Sequence, residues 1–247
     1  MRLLILYDWE NCSVEDVYRL WVLQNTEILP GNYVAFAYSG KTDKVYRTRK
    51  DVFSLIQRVE DDVHPVSLEV YFGVVDYSDP EKKWEVYFDC SVVSRAHKTC
   101  VVAYNYSNFS EKKIVEFIKN FTSRSKVEYA FSYIYNGQGD PRYYASGTSS
   151  GTTSEEIASA NARWKSQRMS VDGAPPERKH VCGFFRDIYA INVINENHYL
   201  NIKKIFSEDD FSLFDISNIG GKNYLWFVKD EDRMEIYVKL QAAGLII

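Results

Sequence analysis

Apolar and polar residues alternate most regularly between positions 68 and 135. In the run 84–93, the even-numbered residues are apolar or aromatic, whereas the odd-numbered ones include Glu85 and Asp89. Alternation with a period of two indicates a β-strand that buries one face. Three neighbouring runs have the same extended character: residues 68–75, 99–105 and 127–135. This stretch therefore predicts four strands.

The second and third of these strands predict an antiparallel hairpin in which Val93 pairs with Thr99. Because side chains alternate between the faces of a strand, this register places Cys90 and Cys100 on the buried face as diagonal neighbours. The four cysteines of the chain have no CxxC spacing, so buried free thiols are a better interpretation than a zinc site.

A helical pattern follows the hairpin. Residues 111–121 carry an apolar stripe with helical spacing, and Ser110 is suited to cap the N-terminus of this helix. Other segments with helical character are residues 13–29, 44–60, 154–168, 196–206 and 230–243. Helices laid across an antiparallel sheet predict an α+β fold, with a mostly antiparallel sheet and helices packed on one face.

Turn-forming residues divide the chain into two lobes. Residues 136–180 contain turn clusters and a run at 146–154 that is rich in Gly, Ser and Thr. Such a composition is typical of a linker or a mobile excursion. We therefore expect an α+β lobe with a central hairpin sheet at 1–135, the excursion at 136–180 and a smaller α+β lobe at 181–247.

Residues 2–7 are an apolar run that predicts a buried strand, and a short acidic motif, Asp8-Trp9-Glu10-Asn11, follows it. If residues 3–75 formed a small parallel βαβαβ sheet, Asp43 and Asp76 would follow its other two strands. Reactive groups collect at the carboxyl ends of parallel strands, and converging carboxylates there can hold Mg²⁺ for phosphodiester hydrolysis.

The segment 4–11 resembles the first motif of NYN/PIN-type ribonucleases, in which an apolar strand ends in Asp and an Asn follows three residues later. The resemblance covers about eight residues and implies a metal-dependent ribonuclease that uses Asp8, Asp43 and Asp76. A helix-capping turn that leads into Ser13 is the alternative interpretation of the same segment.

Two further motifs suggest a binding site but can also be explained by a purely structural role. Ser39-Gly40-Lys41-Thr42 ends like a phosphate-binding loop, but Ala35 occupies the position where that loop requires glycine, so a turn is predicted. Arg186 and Asp187 lie in an apolar run and suggest either a polar site or a hydrogen-bonded structural pair. Three polar residues that follow them belong to the same hypothesis: Asn192, Asn195 and His198.

Composition and charge argue against two functional classes, proteins that bind nucleic acid through a basic face and membrane proteins. The net charge is −4 and the pI is near 5.7, which argues against nucleic-acid binding through a basic face. No apolar run reaches the length of about 18 residues that a membrane-spanning helix needs, and the N-terminal run is no signal peptide. We therefore expect a cytoplasmic protein with no membrane partner.

Negative charge is concentrated between Ser207 and Glu235, where eight acidic and three basic residues leave a charge of −5. A solvated surface is the simplest interpretation, and a docking surface for a basic partner is the sharper one. Aromatic side chains in this stretch would anchor such a partner. The residues predicted to bind are Glu208, Asp209, Asp210, Phe211, Asp215 and Trp226.

Taken together, the residues predict a non-enzymatic protein-binding module that needs no cofactor and no metal. An immunity protein, which neutralises a toxin partner, has the same general properties: cytoplasmic, acidic, rich in aromatic residues and without a catalytic motif. The metal-dependent ribonuclease is the alternative, and it requires the carboxylates of Asp8, Asp43 and Asp76 to converge on one ion.

Overall fold

The structure is a computed structural model with an α+β fold, as the sequence predicts. The chain divides into two compact units, of which the first comprises Met1–Lys126 with Ile134–Gly139 and the second comprises Val127–Tyr133 with Asp140–Ile247. The residues that the structure describes are 2–24, 33–39, 42–46, 66–72, 86–94, 97–104, 110–134, 144, 147, 155–168, 174–212 and 214–247.

The first unit contains a six-stranded antiparallel sheet. Its strands are β1 (Arg2–Trp9), β2 (Tyr33–Ser39), β3 (Thr42–Tyr46), β4 (Val66–Phe72), β5 (Val86–Ser94) and β6 (His97–Tyr104). They lie in the order β3-β2-β4-β5-β6-β1, and every neighbouring pair is antiparallel. The described strands therefore do not form the parallel βαβαβ sheet on which the ribonuclease alternative depends, and the predicted, mostly antiparallel sheet is confirmed.

Strand β3 shows why the parallel prediction fails. Ser39, the last residue of β2, pairs with Thr42, the first residue of β3. A connection this short permits a hairpin but not the crossover that parallel strands require, which takes a dozen or more residues. The same strand replaces the start of the helix predicted at 44–60, and the rest of that helix lies outside the described residues.

The hairpin of β5 and β6 forms as predicted, with both cysteines buried, but its register differs from the predicted one. Cys90 pairs directly with Cys100, so the two thiols are opposite neighbours and not diagonal ones. A register irregularity of one residue lies between Val92 and Ser94, and the pairing beyond it is shifted by two residues from the predicted one. Because side chains alternate with a period of two, that shift leaves both cysteines on the buried face.

Two helices accompany the first sheet, α1 (Val14–Gln24) and α2 (Glu111–Thr122), and they contact each other. The predicted apolar stripe of α2 is buried: Ile114, Phe117, Ile118 and Phe121. Ser110 occupies the N-cap position of α2, but its hydroxyl makes no capping hydrogen bond. The helix is therefore stabilised by the packing of its stripe more than by its cap.

The second unit contains four antiparallel strands and four α-helices among its described residues. The strands are β7 (Val127–Ile134), β8 (Ile191–Asn195), β9 (Asp215–Gly220) and β10 (Asn223–Phe227), in the order β7-β8-β10-β9. The helices are α3 (Glu155–Arg168), α4 (Glu196–Ile205), α5 (Glu208–Ser212) and α6 (Asp230–Ala242), with a short 3₁₀ helix at Lys179–Cys182. Helices predicted at 154–168, 196–206 and 230–243 are thus confirmed.

An aromatic cluster forms the core of the second unit around Tyr129 of β7. The Tyr129 ring stacks on His198 at 5.1 Å and meets Trp164 and Phe185 edge-on at 6.1 and 6.3 Å. Trp164 lies on α3 and is fully buried. Helix α3 therefore contributes to this core, although the composition of 136–180 predicts a linker or a mobile excursion there. The Gly/Ser/Thr-rich run itself falls, apart from Gly147, outside the described residues.

Asn223 supports the start of β7 through its buried side chain. Its Oδ1 accepts a hydrogen bond from the Val127 N–H at 3.0 Å, and its Nδ2 donates to the Val127 carbonyl at 2.6 Å. Replacing Asn223 with Ala removes both partners, so we expect the free energy of unfolding to fall by about 1–3 kcal/mol.

Urea denaturation of Asn223→Ala tests this prediction. The matched control is Asn218→Ala, because Asn218 is exposed and accepts one hydrogen bond, from the Gly220 N–H. We expect a change of about 0.5 kcal/mol or less in the control. Equal losses in the two variants would contradict the structural role of Asn223.

Candidate functional site

The acidic residues of two helices meet on one face of the second unit. Lys239 Nζ lies 2.9 Å from Glu235 Oε1 on α6 and 3.7 Å from Asp210 Oδ2 on α5. Glu231 precedes Glu235 by one turn and therefore lies on the same side of α6. The acidic face defined here consists of Glu208, Asp209, Asp210, Glu231 and Glu235. All of these residues are exposed except Asp210, which is half-buried.

Lys239 is the basic residue that connects the two parts of this face. Its hydrogen bond to the Glu235 carboxylate is the main cause of a raised pKa of the Lys239 ammonium group. Ion pairs between exposed side chains contribute at most about 1 kcal/mol to stability. The acidic residues can therefore be substituted with little loss of stability, so their role in binding can be tested by mutation.

Aromatic side chains adjoin the acidic face. Phe211 of α5 meets Tyr199 edge-on at 5.5 Å, and Tyr199 stacks on Tyr224 at 4.2 Å with nearly parallel rings. All three residues are half-buried. Partly exposed aromatic residues beside charged residues are common where protein partners bind.

Two of the predicted binding residues lie elsewhere. Trp226 is fully buried on β10, an inner strand, where the rings of Phe185 and Phe214 pack against it at 6.1 and 5.6 Å. It belongs to the core and cannot anchor a partner at the surface, so this assignment is wrong. Asp215 is exposed at the start of β9.

The Arg186–Asp187 motif lines a cavity of about 490 Å³ that lies within the second unit. The Arg186 guanidinium carbon is 3.9 Å from the centre of the Tyr144 ring and 5.3 Å from that of Trp164. Arg186 Nη2 donates to Asn161 Oδ1 at 2.9 Å. Asp187 Oδ1 accepts from the Ile188 N–H at 2.6 Å. These contacts hold both charged groups in fixed positions.

Burial raises the pKa of the Asp187 carboxyl group, and the Ile188 N–H and the nearby charges of Arg233 and Arg186 act in the opposite direction. Arg233 is held in turn by a hydrogen bond from its Nε to the Ile188 carbonyl at 2.9 Å.

We call the cavity beside the Arg186–Asp187 motif the arginine pocket, after three arginines that line it: Arg163, Arg186 and Arg233.

The polar residues downstream of the motif have structural roles. Asn192 accepts from the Tyr189 N–H and donates to the Tyr189 carbonyl. Asn195 caps α4 by accepting from the His198 N–H at 3.1 Å. The His198 ring is fully buried, and burial lowers its pKa to about 3 despite a contact with the Phe184 carbonyl at 3.0 Å.

The acidic motif after β1 is tied into the fold of the first unit. Asp8 is nearly buried, and its Oδ1 accepts from the Lys98 N–H at 2.8 Å. Asp8 and Asn11 both have positive φ angles, 47° and 54°, which Asp and Asn tolerate better than most residues. Ser13 and Asp16 then form a capping box, with reciprocal hydrogen bonds at the start of α1.

The carboxylates required for the ribonuclease hypothesis do not lie on neighbouring strands. Asp8 belongs to β1 and Asp43 to β3, and four strands separate them in the sheet. At about 4.8 Å between neighbouring strands, five spacings amount to roughly 24 Å, too far for one ion. Asp76 lies outside the described residues.

The described residues contain neither a metal-binding cluster nor a membrane-spanning helix. Nowhere in the described part of the chain do three or more His, Cys, Asp or Glu side chains gather closely enough to hold a metal ion. Among the same residues, no helix combines the length and the apolar character needed to cross a bilayer.

Comparisons of this chain with protein-family models, with curated proteins and with solved structures found no match. Function is therefore argued from the geometry of the acidic face and of the arginine pocket. Sequence patterns point to parts of each site, since the acidic residues are clustered along the chain and Arg186 interrupts an apolar run. Tyr144, Asn161 and Arg233 carry no such signal, because only the tertiary fold brings them to the pocket.

Proposed function

We propose that the protein is a protein-binding module that captures a basic protein partner through the acidic face and the half-exposed rings of Phe211, Tyr199 and Tyr224. The observation that carries the proposal is the contact of Lys239 with both Asp210 and Glu235, which unites the acids of α5 and α6 on one surface. Like charges held together in this way attract an oppositely charged partner over distances of about 8–10 Å at moderate salt.

Charge and aromatic surface have separate roles in this proposal. The acidic residues increase the rate at which a basic partner arrives and select against acidic proteins. Aromatic side chains supply the contact area that slows dissociation, because such rings dominate the energetics of protein interfaces. Lys203 lies 5.7 Å from the ring centres of both Tyr199 and Phe211, so it marks the boundary between the acidic face and the aromatic cluster.

A protein that neutralises a toxin is the type of binding module that we favour. Such an immunity protein has to block its partner by occupying a surface, and an acidic, aromatic surface suits a basic partner such as a nuclease. The product of the neighbouring gene is the first partner to test, because immunity proteins are encoded beside their toxins. Protection of cells that express this product would support the assignment, whereas toxicity that persists on co-expression would oppose it.

The double variant Asp209→Lys and Asp210→Lys tests the acidic face directly. We expect its association rate with the partner to fall by about tenfold or more at low salt, because electrostatic steering changes rates by 10–1,000-fold. The difference from the wild type should shrink above about 0.15 M salt, where the Debye length is about 8 Å. Surface plasmon resonance across a salt series measures both effects.

A matched control separates steering by this face from the overall charge. Glu111→Lys with Glu116→Lys makes the same change of charge on exposed positions of α2 in the first unit. This control should associate nearly as fast as the wild type. Equal slowing in the two double variants, or no slowing in either, would overturn the proposed docking face, provided that both melt at the wild-type temperature.

A further inference from the structure

The arginine pocket has the volume of a small-molecule site. Its volume of about 490 Å³ falls within the range of about 300–1,000 Å³ that is typical of ligand pockets. The residues that line it all belong to the second unit: they are Tyr144 and residues of α3, of α6, of the segment around Arg186 and of the stretch that follows α6. The pocket is also distinct from the acidic face, because it uses different side chains of α6.

Positive charge is in excess among the side chains that line the pocket. Three arginine side chains and one carboxylate side chain, that of Asp187, line the pocket, although the whole chain carries a net charge of −4. One of the arginines, Arg233, also has its Nη1 3.5 Å from Asp230 Oδ1, so Arg186 and Arg163 carry most of the excess. Guanidinium groups in partly desolvated sites bind carboxylate and phosphate groups through paired, charge-assisted hydrogen bonds.

The guanidinium of Arg186 is preorganised. Only 8% of Arg186 is exposed, and its plane lies over the Tyr144 ring while Asn161 orients one edge. Tyr144 is itself fixed by a hydroxyl–hydroxyl contact of 2.6 Å with the buried Tyr189. A donor held in this way loses little conformational entropy when an anion binds, which favours affinity.

Apolar side chains form the rest of the pocket. Ile188 is buried, Tyr237 and Ile246 are half-buried, and Met234 is 70% exposed at the rim. These groups offer no partner to a second charged group but would pack against a ring or an aliphatic chain. The lining therefore matches a ligand with an anionic end and an apolar body.

From this lining we infer that the arginine pocket binds a small molecule that joins one carboxylate or phosphate group to an aromatic or aliphatic body. The anionic group lies among Arg186, Arg233 and Arg163, and the body lies against Ile188 and Tyr237. Such a ligand acts independently of the docking face, so the pocket gives the protein a second binding activity.

Titration of the full-length protein with four probes tests the inference. The probes are benzoate, phenyl phosphate, benzyl alcohol and inorganic phosphate. We expect benzoate or phenyl phosphate to bind with a Kd of about 1 mM or lower, as suits fragments of this size. Benzyl alcohol lacks the charge and inorganic phosphate lacks the body, so each should bind at least about tenfold more weakly. The preference between the first two probes identifies the anionic group.

Variants of the arginines locate the site. Arg233→Gln and Arg163→Gln should each weaken binding of the preferred probe by about tenfold, because each removes a charge-assisted hydrogen-bond donor. Arg124→Gln, at an exposed position of the first unit, is the matched control and should bind like the wild type. The variant Arg186→Gln is expected to abolish binding of the preferred probe. If this variant does not fold, Arg163→Gln and Arg233→Gln show whether the probe binds in the arginine pocket.

Three results would overturn the inference. One is a failure of both charged ring probes to bind at concentrations up to about 20 mM. The second is binding of benzyl alcohol as tight as that of benzoate and phenyl phosphate. The third is an affinity that stays within about twofold of the wild type in both Arg163→Gln and Arg233→Gln, since a loss of charge-assisted bonds costs more than that.

Discussion

Replacement of Trp164 by alanine is expected to lower the free energy of unfolding of the second unit by about 3–5 kcal/mol, the range for large core residues. The Trp164 ring is fully buried and packs against Tyr129 at 6.1 Å and His180 at 5.7 Å. A cavity of this size cannot be refilled without moving the core aromatic cluster. Chemical denaturation followed by circular dichroism measures the loss.

Two companion variants make the Trp164 result specific. Trp164→Phe keeps an aromatic ring and should lose less stability than the alanine variant, because it leaves a smaller cavity. Leu23→Ala removes a side chain that is 66% exposed and should change stability by about 0.5 kcal/mol or less. A loss below about 1 kcal/mol for Trp164→Ala would restore the view that α3 is part of a linker.

Acidification from pH 6.5 towards pH 3 is expected to destabilise the second unit through His198. In the unfolded chain a histidine gains its proton near pH 6.5, whereas burial lowers the pKa of His198 in the folded protein to about 3. Between these values the unfolded state binds more protons, so stability is full above pH 6.5 and falls as the pH decreases. The slope from this residue approaches about 1.4 kcal/mol per pH unit.

The variant His198→Gln isolates this contribution, because other groups titrate in the same range. Its stability at pH 7 should be lower than that of the wild type, but its dependence on pH between 6.5 and 4 should be shallower. Urea denaturation at pH 7, 6, 5 and 4 gives both slopes.

The hydrogen-bond partners of the His198 ring show which result would contradict the predicted loss of stability in acid. Nδ1 lies 2.8 Å from Asn195 Oδ1 and Nε2 lies 3.0 Å from the Phe184 carbonyl, and a neutral ring can donate to only one of these oxygens. Stability that is highest in acid and declines as the pH rises through 6.5 would mean that both oxygens hold a charged ring. That result would contradict the prediction.

Local patterns predicted the helices α2, α3, α4 and α6, but they missed β3, because a helix was expected from residue 44. Cys90 and the helical stripe of α2 are buried as predicted, because each prediction depends on residues that are close in sequence. The register of the hairpin was missed because a shift of the pairing by two residues leaves the alternation unchanged, and the pattern carries no sign of the irregularity between Val92 and Ser94.

Tertiary contacts explain the other differences. Helix α3 has a thin apolar side, so its pattern gives no sign that Trp164 reaches the core. Trp226 and Phe211 both look like aromatic residues in an acidic stretch, and only the position of β10 between β8 and β9 separates the buried ring from the half-buried one. The sequence patterns did not predict the arginine pocket for the same reason, since its residues come from distant parts of the chain.

Strand β7 constrains where the chain can be cut into independently folding pieces. It follows directly from the first unit in sequence but belongs to the second, where it pairs with β8 and supplies Tyr129. A fragment that begins at residue 136 or 181 would leave the partner edge of β8 bare and the core aromatic cluster without its centre. The shortest fragment that can carry the second unit therefore starts at Val127. During synthesis, the sheet of this unit can form only after β7 and the later strand β8 have both been made.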